Sequence, residues 1–147
     1  MNNITRQAIP SKEYRELIGT AICVFNSNNS FIIENILSSD LYDEYNWYNL
    51  IDSTSGSLNK PIKETISANS NKDIARLFEH IIYIRNRIVH SYQITSSIQY
   101  DYLDENKQIL CTKYNDQTQK VIDKEFILNF IKFNESLSIK LHEYRGY

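Results

Sequence analysis

Apolar residues recur with helical spacing through the first part of the chain. Tyr14, Leu17, Ile18, Ala21, Ile22, Phe25, Ile32, Ile36 and Leu37 fall on one side of a single helix, predicted over about 11–38. Ser11 is placed to cap it, behind a lead over 1–10 that ends at Pro10 and is expected to fray. The polar interruption Asn26-Ser27-Asn28-Asn29-Ser30 either bends this helix or faces another helix or a partner. A tight turn at Ser38-Ser39-Asp40 ends it.

Leu41 to Ile51 is rich in aromatic residues (Tyr42, Tyr45, Trp47, Tyr48) and predicts a short helix lying as a lid on the core. Ser53-Thr54-Ser55-Gly56-Ser57 reads as a loop. It is not a phosphate loop, because no strand precedes it and no Gly-Lys-Ser/Thr follows. A helix over about 59–68 turns Ile62 and Ile66 inward. Asn69-Ser70-Asn71 then breaks the chain and caps a long central helix over about 71–95.

Beyond Thr95 the period changes from helical to alternating. Ile98, Tyr100 and Tyr102 alternate with polar residues, Asp104-Glu105-Asn106-Lys107 turns the chain, and a second alternating run covers 109–114. This predicts a hairpin within about 97–122, with a third short strand at 119–122. Asp123 caps a last helix with a stripe of Phe126, Phe130, Phe133, Leu137, Leu141 and Tyr144. The expected fold is mainly α, one domain over 1–147, with long antiparallel helices and a small hairpin before the last of them.

Composition narrows the class. With only 3 Gly and 2 Pro the punctuation of an all-β protein is missing. No apolar run approaches the roughly 18–20 residues that span a bilayer. Met1 to Gln7 lacks the apolar stretch of a secretory signal, so a cytoplasmic protein is expected. Cys23 and Cys111 are expected as buried, reduced thiols. A net charge of −2 argues against a broad, non-specific nucleic-acid binder. The charge is uneven, however: Lys60 to Tyr92 carries six basic residues against three acidic ones. Lys72, Arg76 and Arg87 are therefore candidates for contacting a phosphate backbone, or else part of a solvated face.

On a helical wheel Lys72, Arg76, Glu79, Tyr83, Asn86 and His90 lie within about 40° of one line. Ile74, Leu77, Phe78, Ile81, Ile88 and Tyr92 occupy the other side, where Tyr92 fits a core residue. Arg85 falls on that apolar side, about 140° from His90. A cation there requires a carboxylate of the same chain, with Glu16, Glu34 and Glu135 as candidates, or a phosphate or second subunit. His90 is either a capping residue near a helix end or a titrating group. His80, His90 and His142 lack metal-ligand spacing, and no Cys-x-x-Cys occurs. No cofactor or metal is expected.

Arg85-Asn86-Arg87-Ile88-Val89-His90 resembles the signature of the HEPN superfamily, and Tyr92 matches its extended Arg-x4-His-x-Tyr form. The hairpin after Tyr92 departs from the simplest HEPN toxins, in which helices continue. The resemblance implies a helical homodimer whose two motifs meet in an interfacial cleft. Many members are metal-independent endoribonucleases in defence or toxin–antitoxin systems. Here it would make Arg85, Asn86 and His90 catalytic, and Tyr92 a supporting residue or a site of nucleotide addition by a partner. RNA and an antitoxin protein are the implied partners. A non-catalytic module binding RNA, a nucleotide or a protein, and a purely structural dimerisation domain, remain alternative readings.

Overall fold

The computed structural model of the chain describes residues 4–146. It is mainly helical with one small antiparallel sheet. Helix α1 spans Lys12–Ser38, α2 Trp47–Asp52 and α3 Asn59–Ile62, which winds on as a π turn over Lys63–Ser67. Helix α4 spans Asp73–Val89 and α5 Lys124–Arg145. Between them β1 (Tyr92–Thr95), β2 (Gln108–Lys113) and β3 (Gln119–Val121) pair in that order.

Helix α1 begins as its sequence predicts, with Ser11 Oγ accepting the Tyr14 N–H. Its buried face, including Tyr14, Ala21, Phe25, Ile32 and Ile36, packs against α5, which Asp123 caps through the Phe126 N–H at 2.9 Å. Lys124 meets Glu13, Asn134 meets Asn28 and Tyr144 meets Ser39, so α1 and α5 run parallel. Helix α4 runs against them, with His80 beside Phe133 and Ile84 beside Phe126 and Phe130. The expected antiparallel arrangement thus holds for α4 but not for the two longest helices. Phe25 joins all three, stacking on Phe78 and Phe130 at 6.2 and 6.4 Å.

Tyr14 fastens the sheet to this bundle. Its buried hydroxyl donates to the Ile122 carbonyl at 2.6 Å and accepts the Leu110 N–H at 3.2 Å. Of the predicted frayed lead, residues 1–3 lie outside the described residues. Pro10 is buried, and the Ala8 carbonyl accepts from Gln93 at 2.8 Å.

Several expectations are corrected. The central helix stops at Val89 rather than reaching 95, because the Ser91 hydroxyl and N–H both bond the Ile88 carbonyl and Tyr92–Thr95 turns into an edge strand. The first strand is therefore 92–95, not 98–102. Residues 96–107 form a compact connection, in which Ser96 bonds both the N–H and carbonyl of Ile98. Within it Tyr102 and Leu103 are buried while Ile98 is exposed. The helix expected over 41–51 forms only from Trp47, after Asn46 caps it, and its aromatic residues are not a lid: Leu50 alone is buried. Cys111 is buried as expected, but Cys23 is exposed.

Candidate functional site

The last turn of α4 carries Arg85, Asn86 and Arg87, with His90 as its C-terminal cap. The apolar residues Ile81, Ile82 and Ile88 anchor this turn in the core and fix where each polar side chain emerges. The helix stays regular through Val89, and the His90 N–H still bonds the Asn86 carbonyl at 2.9 Å. Asn86 and His90 thus stand one turn apart on the same face. His90 is exposed, Asn86 half-buried, and neither side chain has a hydrogen-bond partner among the described residues.

Arg85 leaves the opposite face. Its guanidinium lies over the Phe25 ring of α1, 5.0 Å from the centroid, a favourable stacking for a delocalised cation. No ion pair involves it among the described residues. The expected carboxylates are elsewhere: Glu16 faces Lys12, Glu34 lines a groove with His142, and Glu135 lies along the α1–α5 seam. Its Nε is buried without a partner, and desolvation lowers its pKa. The side chain is therefore a cation held partly out of water without a counter-ion among the described residues. Within one chain the structure brings Asn86 and His90 together and leaves Arg85 apart from them.

Arg87 is tied down rather than free. It donates to the Lys113 carbonyl of β2 at 2.7 Å, lies 5.9 Å from the centroid of the Tyr83 ring, and also has a buried, unpartnered Nε. Arg76 and Lys72 are exposed further back on α4. Tyr83, half-exposed between these cations, was not singled out by sequence as a site residue. Its spacing four residues before Arg87 was the available signal.

Tyr92 corrects the wheel. It is not on the apolar side of a helix but in β1, exposed, its hydroxyl donating to Gln119 Oε1 on β3. Its pKa is raised, chiefly through the hydrogen-bonding reach of the Cys111 thiol, its register partner on β2. Among the described residues no group of three or more His, Cys, Asp or Glu is placed to hold a metal ion, and no helix is long and apolar enough to cross a membrane. Compared with protein-family models, curated proteins and solved structures, the chain has no match.

Proposed function

We propose that the chain is a HEPN-like endoribonuclease of the cytoplasm, acting in defence or in a toxin–antitoxin pair, that cleaves RNA without a metal in a site shared by two copies. The observation that carries this reading is Arg85. A half-buried guanidinium with an orphaned Nε and no carboxylate among the described residues is costly to keep, and an RNA phosphate supplies an anion. Because His90 projects about 140° away on the same helix, the phosphate that Arg85 holds is served by the imidazole of the second copy.

In that arrangement His90 takes the proton from a ribose 2′-OH, whose oxygen attacks the adjacent phosphorus. The bond from phosphorus to the 5′ oxygen breaks, and that oxygen receives a proton from an imidazolium. The products are a 2′,3′-cyclic phosphate and a 5′-OH. Arg85 holds the non-bridging oxygens as charge develops on them, and Asn86 orients the imidazole or the phosphate. Lys72 at the N-cap of α4 and Arg76 within it meet the flanking backbone, as does Arg87 with the part of its guanidinium that does not bond Lys113.

One observation favours the alternative of a non-catalytic RNA-binding module: among the described residues of the single chain, no side chain or carbonyl bonds the His90 ring, whereas a general base is ordinarily held by a partner. A single assay separates the two. Single-stranded RNA incubated with the purified chain and a chelator should yield cyclic-phosphate ends, and His90→Ala should lower the rate by about 10²-fold or more. Equal cleavage by that variant, or 3′-hydroxyl products, would exclude the enzyme. Binding retained without any cleavage by the wild-type chain would establish the module.

A further inference from the structure

Among the described residues, four of the eleven exposed large apolar side chains fall within 40–52. Leu41 is 81% exposed, Tyr42 83%, Tyr48 76% and Trp47 48%. A run of large apolar side chains left in water marks a surface that is covered in use. The Trp47 and Tyr48 rings meet edge to face at 5.5 Å. Just before them, Leu41, Tyr42 and Tyr45 line a groove of about 380 Å³ together with Asp40, Glu44 and Glu64.

The surface is held rather than loose. The Asp40 carboxylate accepts the N–H groups of Glu44 and Tyr45 at 3.2 and 2.8 Å, Asp43 takes a left-handed conformation (φ 52°), and the Tyr45 hydroxyl donates to Glu64 Oε2. Presenting the aromatic residues in a fixed arrangement lowers the entropic cost of docking. Electrostatically the stretch is acidic: residues 40–52 hold four carboxylates (Asp40, Asp43, Glu44, Asp52) and no lysine or arginine. Lys60 is 4.0 Å from Glu64, while Asp43, Glu44 and Asp52 have no ion pair among the described residues.

We propose that this surface docks a cationic, apolar segment of another protein. Leu41, Tyr42, Trp47 and Tyr48 take its aliphatic side chains, and Asp43, Glu44 and Asp52 take its lysines or arginines. Like charge disfavours the competing occupants: a nucleic acid, an anionic membrane, or the same patch of a second copy facing itself. The site is independent of the RNA-cleavage reading, involving none of its residues.

Trp47 is the only tryptophan, so its emission reports directly on the surface. The full chain is titrated with an amphipathic lysine–leucine peptide, and with a glutamate–leucine peptide of the same pattern. The expected result is a saturable blue shift with the cationic peptide alone, weakened in about 0.5 M salt. In a Tyr42→Ala/Tyr48→Ala variant, affinity should fall about tenfold or more while the circular dichroism is unchanged, both side chains being exposed. Asp43→Asn/Glu44→Gln should weaken the cationic peptide as well. The proposal is overturned if both peptides bind equally, if neither binds, or if the tyrosine variant binds as well as wild type. It is equally overturned if concentrating the chain alone shifts Trp47 emission with dimerisation in sedimentation, since a second copy then covers the patch.

Discussion

On the proposed reading, Arg85 separates stability from activity at the scale of one side chain. Because no carboxylate among the described residues pairs with it, removing the cation orphans none of them. Arg85→Met keeps the stem packed on Phe25 and should change unfolding free energy by less than about 1 kcal/mol in thermal or urea denaturation. RNA cleavage by the same variant should be lost. A destabilisation of about 3 kcal/mol or more would make Arg85 a structural cation instead. Tyr14 behaves in the opposite way. Tyr14→Phe leaves the half-buried Leu110 N–H and the buried Ile122 carbonyl short of a partner and should cost about 1–3 kcal/mol with the helices still formed. Burial pushes the Tyr14 phenol above its ordinary value, the Leu110 N–H opposing this. A folded pKa above the unfolded one means stability that is fully present below about pH 10 and lost as pH rises beyond it. Stability measured between about pH 9 and 11 should therefore fall more steeply for wild type than for Tyr14→Phe.

Among the elements, the seam between α1 and α5 is specified by a polar pair in an apolar setting. Asn28, buried, donates through Nδ2 to the carbonyl and to Oδ1 of Asn134, whose own Nδ2 donates to Phe130. Asn134→Leu should cost about 1–3 kcal/mol by leaving the Asn28 amide short of an acceptor. The Asn28→Leu/Asn134→Leu double variant should cost clearly less than the sum of the singles, since both partners leave together. Additive losses would show that the two residues act separately. Element boundaries also show what was legible in the chain. Helix α1 was plain because Ser11, a long apolar stripe and the Ser38–Asp40 turn agree. The end of α4 was not: Tyr92 and Ile88 keep helical spacing, and the stop comes from the Ser91 hydroxyl and the cross-strand register with Cys111 and Leu110. The alternation of Ile98, Tyr100 and Tyr102 predicts a strand, yet Tyr102 answers to Tyr14, on which it stacks, and to the α5 N-terminus, where it accepts the Lys124 N–H, while Ile98 stays exposed. Such long-range partners leave no local signature.

At the level of the whole molecule, three helices running up, down and up place the last turn of α4 at one end, beside the sheet. The sequence made the motif and its division between two faces visible, but not what surrounds each side chain. A wheel separates Arg85 from His90, and the regular helix keeps them apart, so on the proposed reading each chain brings Arg85 to one shared site and His90 to the other. Neither the absence of a carboxylate at Arg85 nor the tie from Arg87 to the Lys113 carbonyl was readable in advance, since both depend on where α1 and β2 pack. The structural division makes the central claim testable by mixing. Arg85→Ala and His90→Ala chains, each inactive alone, are denatured, combined in equal amounts and refolded together, and RNA cleavage is measured. If Arg85 of one copy works with His90 of the other, half of the dimers are mixed and each has one intact site, so activity returns to about one quarter of wild type. If the mixture remains as inactive as its components, the two residues do not serve one phosphate across copies, and the shared-site account is wrong.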